Sequence, residues 1–151
     1  MVIKARYVHT NIVARDWRRL AAFYEGVLGC ILAPPERDLR ERWVEEATGV
    51  PGAKIQGAHL RLPGYGESGP TLEIFQYDPA ANRPAGGMNA PGLGHLAFAV
   101  EDVGAAREAV IAAGGSVVGQ TVSVPIQGAG RITFVYARDP EGNVLELQQW
   151  R

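Results

Sequence analysis

The chain reads as an α+β fold of two tandem βαβββ modules, and three features point that way. The segment Gly69-Pro70-Thr71-Leu72-Glu73-Ile74 has a near-copy in Gly142-Asn143-Val144-Leu145-Glu146-Leu147. Aligning His9 with His95 also aligns Asp16 with Asp102, Val13 with Ala99 and Gly29 with Gly115. Stretches of period-two alternation surround one helical stripe in each half, the pattern of a helix packed on a sheet. A repeat spacing of roughly 75 to 85 residues indicates a duplicated domain, because solenoid units run about 20 to 50.

In the first half, Tyr7 to Ala14 alternates as a strand, with His9 sharing a face with Tyr7, Asn11 and Val13. Asp16 is a helix N-cap, and Leu20, Phe23, Tyr24, Val27 and Leu28 fall on one helical face. Gly29 closes that helix, and Cys30 to Ala33 starts a strand that Pro34-Pro35 should end. A short helix is expected over Leu39 to Ala47, followed by a turn from Thr48 to Gly52. Ile55 to Leu62 is the third strand, residues 63–70 form a loop of turn-forming residues, and Thr71 to Tyr77 is the fourth strand.

Asp78 to Pro91 carries proline and glycine and reads as a linker. The chain should therefore form a single domain over residues 1–151, with module one at about 4–78, a linker at 79–91 and module two at about 92–151. The second half repeats the order. Leu93 to Val100 is a strand carrying His95, and Asp102 caps a helix over Val103 to Ala113 that Gly114-Gly115 ends. Ser116 to Gln120 and Arg131 to Tyr136 read as strands, with a loop over Gln127 to Gly130. Asp139 to Gly142 is a turn before a last strand, Val144 to Trp150.

The bulk properties restrict the partners. A formal net charge of −1, with acids and bases interspersed, provides no electrostatic attraction to nucleic acid or an anionic membrane. No stretch approaches the roughly 20 apolar residues of a membrane span. Cys30 is the only cysteine, so no intrachain disulfide can form. The first residues run into a strand pattern without a signal-like apolar segment. A cytoplasmic protein acting on a small molecule is the expectation.

His9, Glu73, His95 and Glu146 are all expected in strand interiors with apolar neighbours. Burying a glutamate inside Leu-Glu-Ile or Leu-Glu-Leu is costly unless it is paired, protonated or metal-bound. Taken singly, each glutamate could face solvent and each histidine could be satisfied within the core. The repeat makes them a set of two histidines and two carboxylates at equivalent positions, which is a ligand set for a divalent metal. Imidazole and carboxylate suit Zn²⁺, Ni²⁺, Co²⁺, Mn²⁺ or Fe²⁺. Four such ligands on an octahedral ion leave two positions for neighbouring substrate oxygens, which suits proton removal beside a carbonyl. Glu146 and Glu73 are also the candidate proton carriers. His59, without an evident partner in the repeat, is expected to line the pocket or face solvent.

Three segments resemble the hallmark sequences of the vicinal oxygen chelate superfamily (glyoxalase, bleomycin resistance protein and dioxygenase). They are Phe23-Tyr24-Glu25-Gly26-Val27-Leu28-Gly29, Gly92-Leu93-Gly94-His95-Leu96-Ala97-Phe98-Ala99-Val100 and Asp139-Pro140-Glu141-Gly142-Asn143-Val144-Leu145-Glu146-Leu147. The resemblance implies that the modules form an open, barrel-like mixed sheet around a metal-binding cavity. It places the ligands on the first and fourth strands of each module, where His9, Glu73, His95 and Glu146 fall. Glyoxalase I has glutamate at the position of Glu73 and methylmalonyl-CoA epimerase commonly has glutamine, so the chain resembles these two more than the two-histidine, one-glutamate extradiol dioxygenases. The resemblance therefore implies a metal-dependent lyase or isomerase acting by proton transfer on an α-oxygenated carbonyl compound or thioester. The alternatives are an epimerase of the methylmalonyl-CoA type and a non-catalytic small-molecule binding protein. In the epimerase reading, Glu45 or Glu46 could supply a second base; otherwise they end a solvated helix. A homodimer is expected, because open sheets expose edges and members of the family commonly dimerise.

Overall fold

A computed structural model describes residues 1–151 as two compact units, Met1–Asn82 and Arg83–Arg151. Unit one runs β1 (His9–Val13), α1 (Trp17–Leu28), β2 (Ile31–Leu39), α2 (Arg42–Thr48), β3 (Lys54–Arg61) and β4 (Thr71–Asp78). Its four-stranded sheet has the order β1-β4-β3-β2, with β1 parallel to β4 and the other pairs antiparallel. The parallel pair follows from the topology, because four elements and their loops separate the two strands in sequence.

Alternation assigns the two faces of this sheet. Ile12, Ala58, Leu60, Leu72 and Ile74 are buried with Leu20, Phe23 and Tyr24 of α1. Their immediate neighbours Asn11, His59, Thr71 and Glu73, and by the same alternation His9, therefore lie on the opposite face. The Asp16 side chain accepts from the Arg19 backbone N–H and caps α1. Gly29 closes the helix with φ 69°, a left-handed conformation that glycine adopts without strain. Gly57 brings β3 close to β4, since a Cβ there would stand 2.0 Å from the Ile74 carbonyl oxygen. A small apolar cluster of Val44, Ala53 and Ile55 seats α2.

Unit two runs β5 (Leu96–Ala99), α3 (Val103–Ala112), β6 (Ser116–Val117), β7 (Val122–Ile126), β8 (Gly130–Arg138) and β9 (Val144–Trp150). Its order is β5-β9-β8-β6, with β7 also paired to β8. β5 is parallel to β9 and the remaining pairs are antiparallel. Asp102 caps α3 by accepting from the Ala105 N–H. Val103, Val110, Val135, Ala137, Leu145 and Leu147 form its buried core. Neither sheet closes on itself, so the two-module α+β architecture holds with two open mixed sheets of four and five strands. No helix is long and apolar enough to cross a membrane.

Several expected boundaries move. β2 does not stop at Pro34-Pro35 but continues to Leu39, with a register shift between Ala33 and Arg37. It is an edge strand, so the missing proline N–H groups break no bond to a second neighbour. The shift leaves two more residues on β2 than on β3 between the paired positions. Unit two shows the same excess of two between Val117 and Val122 opposite Ala137 and Phe134. β6 and β7 are thus the interrupted counterpart of β2, and the expected strand to Gln120 ends at Val117. The first helical stretch beyond β2 begins at Arg42, and the expected strand from Leu93 begins only at Leu96, where the Gly92 and Gly94 surroundings give way to side chains that can pack.

Candidate functional site

The register of each sheet places the candidate residues. In unit one, parallel pairing sets His9 opposite Thr71 and Asn11 opposite Glu73, and antiparallel pairing sets His59 opposite Glu73. In unit two, Ala97 stands opposite Glu146 on one side and Tyr136 on the other. The repeat therefore equates Asn11 with Ala97 and His59 with Tyr136, beyond the pairs His9/His95 and Glu73/Glu146. Ring geometry agrees. The His9 and His59 centroids lie 5.3 Å apart, and those of His95 and Tyr136 lie 5.2 Å apart.

Glu73 is the hub of unit one, with its side chain only 12% exposed. His59 Nε2 lies 2.6 Å from Glu73 Oε2, and Asn11 Nδ2 donates to Oε1 at 2.9 Å. His9 Nε2 is 3.6 Å from Oε1. The other nitrogen of His59, Nδ1, is hydrogen-bonded to Thr71 Oγ1 at 2.8 Å. Burial pushes the His59 imidazole below its ordinary value. The Glu73 charge opposes this, and Arg37 and His9 add to the lowering.

Glu146 plays the same part in unit two, at 13% side-chain exposure, with His95 Nε2 3.0 Å from its Oε2. Tyr136 is hydrogen-bonded to Glu146, and burial first, then the Glu146 charge and that bond, raise the phenol above its ordinary value. No amide reaches Glu146 from the first strand, because Ala97 occupies the position of Asn11. Two carboxylates from equivalent positions are thus held differently.

The four expected residues therefore come together as two pairs, His9 with Glu73 and His95 with Glu146. The expectation of four strand interiors is corrected. His9 is the first residue of β1, and His95 lies one position before β5. Both histidines consequently sit at strand mouths, more exposed than the carboxylates, at 39% and 34%. His59, expected to line the pocket or face solvent, is partly buried and makes the shortest contact to Glu73. The missed signal was non-local, because His59 and Tyr136 align only through cross-strand register.

Glu45 accepts from the Gly52 N–H and Glu46 pairs with Arg42 in the same helix, so both serve the end of α2. Cys30 is buried, and burial pushes its thiol up to about 11, which leaves it a protonated core side chain and no nucleophile.

The donor types suit a divalent ion, being imidazole nitrogens directed at carboxylate oxygens, with no thiolate among them. As the side chains stand, however, no group of three or more His, Cys, Asp or Glu is spaced to hold one, because the imidazoles and carboxylates contact each other directly.

Known proteins resemble this chain in sequence and in fold. An ethylmalonyl-CoA/methylmalonyl-CoA epimerase from Cereibacter sphaeroides is 28% identical over 146 residues, covering 95% of this chain and 97% of that protein. A probable lactoylglutathione lyase from Vibrio parahaemolyticus is 27% identical over 145 residues, covering 95% of this chain and 90% of that protein. Among solved structures, a glyoxalase family protein from Bacillus cereus superposes with a TM-score of 0.78 at 19% identity, covering 99% of this chain and 95% of its own. Residues 6–147 match the Glyoxalase/Bleomycin resistance protein/Dioxygenase superfamily, and the chain belongs to that superfamily.

Proposed function

We propose that this protein is a divalent-metal-dependent lyase or isomerase of glyoxalase type, moving a proton beside the carbonyl of a small α-oxygenated compound or thioester. One observation carries the reading: two shielded carboxylates, Glu73 and Glu146, occupy equivalent strand positions, and each contacts an imidazole Nε2. His9, Glu73, His95 and Glu146 would hold the ion, from one chain or from two chains of a dimer, and the whole chain would act as one functional domain. A bound divalent ion supplies Lewis-acid stabilisation of a substrate oxygen as charge develops on it.

The proton steps belong to the carboxylates. Glu146 accepts the proton from the carbon beside the carbonyl and returns it, to the same carbon or to its neighbour. Asn11 and His59 engage both oxygens of Glu73, whereas Glu146 lacks the amide donor, so Glu146 is freer to turn toward substrate. Glu73 is the second proton carrier. The likeness to an epimerase over 95% of this chain favours a second reading within the same chemistry, with an acyl-thioester substrate whose α-carbon is inverted. With no membrane helix and one buried cysteine, we place the protein in the cytoplasm.

The test measures metal content in protein purified without added metal, then solvent deuterium entering 2-hydroxyacyl and acyl thioesters. One divalent ion per chain with deuterium at the α-carbon supports the reading. A metal-free protein that binds a small molecule without exchange would make it a binding module. Oxygen uptake with catechols and ferrous iron would make it a dioxygenase.

A further inference from the structure

We propose that His59 is itself a metal ligand, so that unit one alone presents a two-histidine, one-carboxylate donor set of His9, His59 and Glu73. This inference rests on the metal-dependent reading above and changes which residues carry the ion. Both imidazole Nε2 atoms converge on one carboxylate, His59 at 2.6 Å from Oε2 and His9 at 3.6 Å from Oε1. Adjacent donors on an octahedral ion with bonds of about 2.1 Å stand about 3 Å apart. The two observed separations bracket that value, and because no three of these groups are spaced to hold an ion as they stand, binding requires His59 to draw back from Glu73 and His9 to close on it.

The surroundings of His59 are those of a ligand. Metal-bound histidines normally direct their second nitrogen at a fixed polar group, and Thr71 Oγ1 holds His59 Nδ1 at 2.8 Å. Asn11 likewise orients Glu73.

Unit two cannot match this set, because Tyr136 stands in the place of His59. The duplicated modules thus become unequal, with three donors in the first and two in the second.

The chain contains three histidines, so each ring can be followed separately by long-range ¹H–¹⁵N correlation on full-length, ¹⁵N-labelled protein titrated with Zn²⁺. The expected result is a metal-bound shift at Nε2 of His9 and His59, with the His59 ring proton on Nδ1, donated to Thr71 Oγ1. Shifts at His9 and His95 with His59 unchanged would overturn the assignment of His59 while leaving the metal-dependent reading intact. No shift in any ring at millimolar Zn²⁺ would remove both. A second measurement uses Co²⁺ and its visible absorption. His59→Tyr, which copies unit two, should weaken Co²⁺ binding by at least roughly tenfold and alter the spectrum. An unchanged Kd and spectrum in a folded variant would also overturn the assignment.

Discussion

Replacing Glu146 with glutamine separates proton capacity from shape. Glutamine keeps the length of the side chain and one carbonyl oxygen, so it still accepts from His95 Nε2, now 3.0 Å from Oε2. Leu145 and Leu147 on either side are fully buried and hold β9 in place, so the strand has no reason to move. A neutral hydrogen bond replaces a charge-assisted one, a stability change of about 1 kcal/mol. The catalytic effect is much larger, because loss of a positioned general base costs roughly 10²- to 10⁴-fold, or about 2.7 to 5.4 kcal/mol in the barrier. The assay is α-proton exchange into deuterated solvent at saturating metal, with thermal unfolding and metal affinity measured alongside. Exchange should fall by at least roughly a hundredfold while unfolding shifts by only a few degrees. Wild-type exchange in Glu146→Gln would remove Glu146 as the base. A collapse of metal binding as large as the loss of exchange would make it chiefly a ligand.

Three further outcomes follow from particular contacts. Tyr136 should titrate above the ordinary tyrosine value in ultraviolet absorbance or NMR, and Glu146→Gln should bring it partway back, leaving the effect of burial. Because the folded-state phenol is raised, its stabilising contribution is present below the ordinary tyrosine range near 10 and is lost as pH rises through the folded-state value. Asp16→Ala removes the side-chain bond to the Arg19 N–H and should cost about 1 kcal/mol, roughly 2–4 °C in Tm, and an unchanged melting curve would deny the cap its role. Sedimentation at tens of micromolar should show a homodimer, because the β7 edge strand exposes Val122, Val124 and Ile126, and a species of 16.2 kDa would refute this.

Local chemistry was legible in the sequence. Asp16 and Asp102 cap helices through bonds to residues three positions away, and Gly29 ends a helix through its own backbone freedom, so each signal lies within a single turn. The duplication was also legible, because equivalent strands need the same alternation to bury one face, and that placed Glu73 and Glu146 opposite the leucines and isoleucines that pack under α1 and α3. Proline at 34 and 35 misled because its meaning depends on whether a strand has one neighbour or two, and only sheet order reveals that. β7 was missed because all five of its residues are exposed, so burial imposes no alternation on them. The roles of His59 and Tyr136 depended on register, since a shift of one residue between β3 and β4 would have turned His59 away from Glu73. Residue types and their periodicity determine which side chains share a face. Which of them touch is decided by pairing between strands remote in sequence, held in this chain by the close approach at Gly57 and the buried packing of Leu60 against Leu72.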